Sequence, residues 1–130
     1  MAKVCILIGS ASDQELADKA GAVLKENKVS YEIQVASAHR EPDKLDKIVK
    51  GSDAEVFICI AGLSAALPGA VASKTTKPVI GVPRNVALGG IDSLLSMVQM
   101  PPGVPVAVVG IDNAKNGALF AIRILSLKKK

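Results

Sequence analysis

The stretch KVCILIGSASD, residues 3–13, decides the fold, because an unbroken aliphatic run stops abruptly at small and polar residues. An apolar run of this length that ends at Gly9 is typical of a strand buried on both faces. From Asp13 to Asn27, apolar residues recur at the three- and four-residue spacing of a helix. Ser12 followed by Glu15 has the form of a capping box, which predicts the start of that helix. A buried strand that passes at once into a helix predicts a βα unit of a parallel sheet.

The same alternation of strands and helices continues along the rest of the chain. The predicted strands span residues 3–8, 31–36, 55–61, 78–83 and 104–111. Five strands separated by helices predict an α/β fold of three layers, α/β/α, around a parallel five-stranded sheet. The winding of such a sheet is either flavodoxin-like or Rossmann-like.

The limits of the predicted helices follow from their end residues. Pro42 is suited to the first position of the second helix, and Gly51 is suited to its end. A short helix runs through Val71, and another covers 92–100. Asp112 can cap the last helix. The apolar face of that helix is predicted to hold Ala118, Leu119, Ile122 and Leu125.

The composition fits one small domain. At 130 residues the chain can build one core, so residues 1–130 are predicted to form a single domain with a basic tail, 128–130. Hydrophobic residues make up 49% and aromatic residues 2%, so the core must consist of Ala, Val, Ile and Leu. The net charge of +4 lies partly in the tail, and so few rings leave little platform for stacking bases. We therefore expect no nucleic-acid partner.

Cysteine and histidine usage points to a reduced protein without a metal. Cys5 and Cys59 each lie inside an apolar run, so buried, reduced thiols are predicted. With one histidine and no closely spaced cysteine pair, we expect no metal site. The apolar run near the N-terminus is too short for a signal peptide or a membrane span, so a cytoplasmic protein without membrane contact is predicted.

The candidate site lies where the loops converge. In an open parallel sheet, ligands bind beyond the carboxyl ends of the strands. The loops after the first three predicted strands read GSASD (9–13), SAHRE (37–41) and GLSAALPG (62–69). Small residues let a ligand approach the backbone, helix starts attract anions, and Arg40 can bind a phosphate. His39 is the only histidine, and histidine exchanges protons near neutral pH.

Taken singly, these residues also have purely structural explanations. Asp13 can stabilise a helix dipole, and Ser10 and Ser12 can serve as turn and cap residues. Arg40 can be an ordinary surface charge, and His39 can be a solvated loop residue. The loops contain neither the G-x-G-x-x-G fingerprint nor a Walker lysine, which argues against binding of NAD or ATP.

The order of the motifs resembles one family. GSASD, SAHREP, AGLSAALPG, PVIGVP, GGIDSLLSMVQMPPGVPVAVVGID and NGALFAIRIL are similar, in this order, to the PurE family of purine biosynthesis. The resemblance covers Lys3 to Leu125, and its most specific motifs are SAHR and DSLLSMVQMPPGVPVA. It implies a flavodoxin-like domain that assembles into a homo-octamer. It also implies a mutase that moves a carboxylate from the exocyclic nitrogen to C4 of aminoimidazole ribonucleotide, with CO2 as intermediate and no cofactor.

The resemblance implies a role for each loop. His39 would be the general acid and base that shuttles a proton. Ribose and phosphate of the ribonucleotide substrate would be held by polar side chains of the first two loops, namely Ser10, Ser12, Asp13, Ser37 and Arg40. CO2 would be surrounded by backbone of the third loop, at Ala61, Gly62, Leu63, Ser64 and Ala65.

Two positions depart from the bacterial pattern, and other functions stay open. Bacterial members read AGAGGAAHLPG, whereas this chain has AGLSAALPG, with Ala66 in the position of a histidine. Arg84 stands where small or polar residues are usual. One alternative is a direct, CO2-dependent aminoimidazole ribonucleotide carboxylase. Another is the pyridinium carboxylase of nickel-pincer cofactor synthesis, which shares the loop and the IDN at 111–113. The third is a nucleotide-binding module without catalysis.

Overall fold

The structure is a computed structural model that describes residues 2–128, and it is built on one parallel sheet. The strands are β1 (Val4–Ile8), β2 (Tyr31–Val35), β3 (Val56–Ala61), β4 (Val79–Pro83) and β5 (Ala107–Val108). The helices are α1 (Gln14–Glu26), α2 (Pro42–Gly51), α3 (Leu67–Ala72), α4 (Ile91–Val98) and α5 (Ala114–Ser126). The strand order is β2-β1-β3-β4-β5, all parallel, which is the flavodoxin-like order. The predicted fold class is confirmed.

Alternate residues of the central strand β1 pack into two separate hydrophobic cores, one on each face of the sheet. In β1, Val4, Ile6 and Ile8 pack in the core that includes residues of α1 and α5. Cys5 and Leu7 pack in the core on the other face, with residues of α2, α3 and α4. All five side chains are 0% exposed, which explains why the aliphatic run is unbroken. The helices thus lie on both faces and leave the strand ends open for a site.

The fifth strand is much shorter than predicted. Residues 104–111 are predicted as a strand, but only Ala107–Val108 pair with β4. Pro105 has no amide hydrogen to donate, and β5 is an edge strand with a single neighbour. The amide of Val109 still donates to the carbonyl of Gly81 at 3.2 Å, so the chain continues beside β4 without a full ladder. The bounds of the other four strands agree with prediction to within one residue.

The predicted capping box at the start of α1 is wrong. Ala11–Asp13 form a 3-10 turn, and Asp13 is the N-cap of α1 without a side-chain hydrogen bond. The hydroxyl of Ser12 lies 2.6 Å from that of Ser10 instead of bonding the amide of Glu15. The extra turn moves the helix start past Ser12.

The predicted cap of the last helix is also wrong. Asn113, not Asp112, caps α5, because its side chain accepts a backbone amide of the first turn at 3.0 Å. The carboxylate of Asp112 instead accepts the amide of Asn85 at 2.8 Å. Leu119 is 44% exposed, so it does not share the buried face of Ala118. The predicted limits of α2, from its N-terminal proline to its C-terminal glycine, are confirmed.

Both thiols are buried and free, as predicted. Burial, together with the nearby carboxylate of Glu32, raises the pKa of Cys5 to about 12. Burial likewise raises the pKa of Cys59 well above its ordinary value. Burial thus disfavours the reactive thiolate at both positions.

The described part of the chain ends in a surface ion pair. Lys128, the first residue of the predicted basic tail, pairs with Glu55, which also pairs with Lys3 at 3.1 Å. Lys129 and Lys130 lie outside the described residues. Within residues 2–128, no helix combines the length and the apolar character needed to cross a membrane.

Candidate active site

A cavity of about 370 Å³ lies at the carboxyl end of the sheet. The loops after β1, β2 and β3 meet here because β1 lies between the other two strands, and the loop after β4 adds another wall. This is the point at which the winding of the sheet reverses, where doubly wound folds bind their ligands. Every predicted site residue except Ala65 lines it, namely Ser10, Ser12, Asp13, Ser37, His39, Arg40, Ala61, Gly62, Leu63 and Ser64.

The loop after β1 brings two hydroxyls and a carboxylate to the cavity. Ser10 and Ser12 are linked by a hydrogen bond of 2.6 Å between their hydroxyls. Asp13 is 4% exposed, and its backbone amide donates to the carbonyl of Ser10 at 3.1 Å, which holds the turn. Burial raises the pKa of Asp13 above its ordinary value, while Arg84 and backbone hydrogen bonds at Ser10 and Gly9 act in the opposite direction.

Arg84, at the end of β4, is the partner of Asp13. Its Nη1 lies 3.2 Å from Oδ1 of Asp13 and 3.5 Å from the hydroxyl of Ser12. The side chain of Arg84 is 30% exposed and that of Asp13 is 6% exposed, so the pair lies largely out of water. Prediction from sequence noted Arg84 only as a departure from the family pattern and did not include it in the site.

The loop after β2 carries the candidate acid–base group. Ser37 is 8% exposed, and its hydroxyl accepts the backbone amide of Arg40 at 3.1 Å, which tightens the turn containing His39. His39 and Arg40 are both exposed. Among residues 2–128, neither side chain forms a hydrogen bond or an ion pair; the neighbouring Glu41 pairs with Lys44 at 3.9 Å. Imidazole and guanidinium are therefore both available to a ligand.

The loop after β3 presents mostly backbone to the cavity. Leu63 is 70% exposed at its rim, and Ser64 adopts a left-handed φ of +48° that turns the chain into α3. Gly62 is required by close approach, since an added Cβ would lie 2.4 Å from Cγ2 of Val86. Ala65 is 1% exposed and belongs to the core beneath the loop, not to the lining.

A buried serine ties two walls of the cavity together. Ser93 in α4 is 0% exposed. Its hydroxyl lies 2.6 Å from the carbonyl oxygen of Gly62 and 3.0 Å from that of Arg84. Gly62 and Arg84 follow neighbouring strands, so this hydroxyl links the loops after β3 and β4.

A second hollow also has His39 in its lining. It has a volume of about 530 Å³, and its lining includes Ser64, Ala66, Gly69 and Met100 besides His39. Ala66, noted above as a departure from the bacterial pattern, lines this hollow together with His39 but is not among the residues that line the main cavity.

Five residues of the lining were not predicted as site residues. They are Gly9, Ala38, Leu67, Arg84 and Val86. The first three lie within the predicted loops 9–13, 37–41 and 62–69, so the loops themselves were found. Arg84 and Val86 follow β4, and only the strand order, which puts β4 beside β3, brings them to the site.

The chemistry of the cavity follows from its four titratable or charged side chains, Asp13, His39, Arg40 and Arg84. Arginine provides a fixed cation for an anionic ligand, a carboxylate accepts sugar hydroxyls, and an imidazole can give and take a proton. In the part of the chain that the structure describes, no cluster of three or more His, Cys, Asp or Glu side chains could hold a metal ion.

Comparison with known proteins identifies the family. Residues 3–130 match the family described as AIR carboxylase. The chain is 59% identical over 125 residues to the N5-carboxyaminoimidazole ribonucleotide mutase of Methanocaldococcus jannaschii, covering 96% of this chain and 80% of that protein. It is 52% identical over 132 residues to the mutase of the same name from Pyrococcus abyssi, covering 98% and 76%. The crystal structure of Treponema denticola PurE has a TM-score of 0.87 at 36% identity, covering 95% of this chain and 80% of that one. The chain therefore belongs to the AIR carboxylase family, the PurE family that its motifs resemble.

Proposed function

We propose that this chain is a mutase of purine biosynthesis, which moves the carboxylate of N5-carboxyaminoimidazole ribonucleotide from the exocyclic nitrogen to ring carbon C4. One observation carries the proposal: His39 lines the same cavity as Arg40 and the loop of residues 10–13. A ribotide needs a cation for its phosphate, acceptors for its hydroxyls and an acid–base group at its heterocycle. The relatives from M. jannaschii and P. abyssi both carry the name of this mutase.

The phosphate is bound by the loop after β2. Arg40 has no ion-pair partner within residues 2–128, so its fork of donors is available for two phosphate oxygens. The hydroxyl of Ser37 accepts the amide of Arg40, which leaves its own hydrogen free to donate to a third oxygen. The ribose hydroxyls lie against the carboxylate of Asp13 and the hydroxyls of Ser10 and Ser12.

His39 moves the proton. In its charged form the imidazole protonates the carbamate nitrogen; the C–N bond breaks, its electron pair stays on nitrogen, and CO2 leaves. C4 of the ring then attacks CO2 and forms the new C–C bond. The proton on C4 returns to the imidazole as the ring regains its aromatic system. One proton is given and one is taken, so the reaction is an isomerisation that needs no cofactor.

The third loop keeps CO2 in the site between the two steps. Its lining residues, Ala61 to Ser64, offer backbone dipoles and little side-chain bulk apart from Leu63. Excluding water there prevents loss of CO2 as bicarbonate. Ala65 contributes only from beneath the loop, because it is buried in the core.

The assembly is proposed to be a homo-octamer, as the family resemblance implies. Ile91, Leu95 and Val98 lie on one face of α4 and are 50%, 48% and 53% exposed. Leu88, just before that helix, is 79% exposed. A contiguous apolar face of this kind is typical of an interface between subunits. We also propose that residues 1–130 form a single domain and that the protein is cytoplasmic.

An isotope experiment tests the reaction and separates the alternatives. The substrate carries ¹³C in its carbamate and is offered with unlabelled bicarbonate. A mutase retains the label in the C4-carboxylated product, because CO2 does not leave the cavity. A direct carboxylase makes unlabelled product and works equally well from aminoimidazole ribonucleotide plus bicarbonate. A binding module gives no product, and that result would end the proposal.

Two neighbouring variants test the assigned roles. His39→Asn is expected to bind aminoimidazole ribonucleotide with unchanged affinity and to lose about 10²- to 10⁴-fold in kcat, the usual contribution of a positioned acid–base group. Arg40→Gln serves as the matched control, with binding weakened about 10- to 100-fold, as expected for the loss of a hydrogen bond to a charged group. Near-normal turnover by His39→Asn would remove the imidazole from the mechanism.

A further inference from the structure

The ion pair between Arg84 and Asp13 has no role in the proposed chemistry as it stands. Asp13 is nearly buried and faces the cavity, and the two residues are 71 positions apart in sequence. Arg84 is brought to it by the end of β4, where the backbone amide of Arg84 donates to Ala61 at 3.0 Å and its carbonyl accepts from Ser93. The backbone of Arg84, from which its side chain extends, is thus held by hydrogen bonds at both its amide and its carbonyl.

The two arginines that line the cavity differ in their ion pairing. Arg40 is exposed, and in the described chain it forms no ion pair. Arg84 is already engaged through Nη1, which contacts Asp13 and approaches the hydroxyl of Ser12. A guanidinium that is neutralised by a buried carboxylate is poorly suited to bind a phosphate and well suited to orient the carboxylate.

We propose that Arg84 is a positioning residue for the ribose: it holds the Asp13 carboxylate charged and fixed at the cavity wall, where that carboxylate accepts the sugar hydroxyls. This inference rests on the proposed function, because it takes a ribotide as the ligand. Arg84 acts through Asp13, and it is not a catalytic residue. It sets ligand affinity through that carboxylate.

The proposal carries a pH dependence with a defined sign. Burial raises the pKa of Asp13, and the charge of Arg84 is the largest influence that lowers it. Without Arg84 the pKa of Asp13 rises further, so at acidic pH the carboxyl group is protonated and accepts hydroxyl hydrogens less strongly. Binding then recovers as the pH rises and Asp13 ionises. The other charged or titratable groups that line the cavity are His39 and Arg40, while Ser10 and Ser12 are neutral.

A double-mutant cycle on ligand affinity tests this. The Kd of aminoimidazole ribonucleotide is measured by calorimetry between pH 5.5 and 8.5, in a His39→Asn background that removes the imidazole from the cavity. Arg84→Met is expected to weaken binding about 10- to 100-fold at pH 5.5, with partial recovery by pH 8.5. Arg84→Lys, which keeps the charge, is expected to stay within a few-fold of the parent at every pH. Asp13→Asn is expected to weaken binding equally at all pH values.

The combination of the two substitutions is decisive. If Arg84 acts through Asp13, Arg84→Met with Asp13→Asn binds no more weakly than Asp13→Asn alone. Losses that multiply, or an Arg84→Met affinity equal to that of the parent, would overturn the inference. Should Arg84→Met fail to fold, Arg84→Gln replaces it in the same cycle. If the parent itself binds no ribotide, the proposed function fails first, which distinguishes the two failures.

Discussion

The buried hydroxyl of Ser93 offers a quantitative test of how the cavity is held together. It lies within hydrogen-bond distance of the carbonyl oxygens of Gly62 and Arg84, at 2.6 Å and 3.0 Å. Ser93→Ala removes that donor from the buried carbonyl of Gly62 and from the partly buried carbonyl of Arg84. Leaving buried polar groups unsatisfied costs about 1–3 kcal/mol. For a chain of this size that corresponds to roughly 3–12 °C in Tm.

Ser96→Ala is the matched control, because Ser96 lies on the same helix. Its hydroxyl is exposed and bonds only the carbonyl of Asp92, one turn back, at 2.9 Å. Alanine favours the helix more than serine does, so this change is expected to fall within about 0.5 kcal/mol of wild type. Because Ser93 joins two cavity walls, Ser93→Ala is also expected to weaken ribotide binding, whereas Ser96→Ala is not.

The assay is urea unfolding at one fixed protein concentration, so that any self-association affects all variants equally. The difference in free energy of unfolding between Ser93→Ala and Ser96→Ala is the measured quantity. A difference below about 0.5 kcal/mol would refute the view that Ser93 braces the two loops.

Two further predictions concern the thiols and the surface. Burial raises the pKa of Cys5 to about 12 and that of Cys59 well above its ordinary value. Neither thiol is therefore expected to react with Ellman's reagent at pH 8 in the native state, and both should react in guanidinium. Rapid reaction of a native thiol would contradict this burial. Leu95→Glu is expected to split the proposed assembly into smaller species, with the mass measured by light scattering. Leu119→Glu, a residue of similar exposure on α5, should leave the mass unchanged. An unaltered mass for Leu95→Glu would exclude α4 from the interface.

Most of the fold could be predicted from sequence because the central strands carry a strong signal. Runs such as VCILI and VFICIA are buried on both faces, as is typical of the central strands of a parallel sheet covered by helices. The edge strand β5 carries a weaker signal, since Pro105 interrupts a sequence that is otherwise as apolar as the centre. Apolar content alone could not distinguish a two-residue ladder from a full strand.

The helix caps could not be predicted reliably because several polar residues compete for each position. Asp112 and Asn113 are adjacent and both can cap a helix, and the left-handed φ of +60° at Asp112 decides between them. Ser12 likewise bonds Ser10 and not the helix, because a 3-10 turn precedes α1. Such choices depend on tertiary positions that no local pattern encodes.

The three loops of the site were recognisable because each immediately follows a strand, so the topology alone brings them together. Arg84 also follows a strand, but only the strand order, which puts β4 beside β3, brings it to Asp13, 71 positions away in sequence. Ser93 lies on a helix and meets Gly62 across 31 positions. Both depend on the register of β3 against β4. In the sequence Ser93 is simply a small residue within an apolar helix.

A crystal structure with aminoimidazole ribonucleotide bound would show whether the three loops hold one ribotide against His39. We expect the phosphate at Arg40, the ribose at Asp13, and the imidazole of His39 within about 2.6–3.2 Å of the reacting part of the heterocycle, directly or through one water. A ribotide bound in this cavity with the His39 ring turned to bulk solvent, or a ribotide bound elsewhere on the protein, would contradict this expectation.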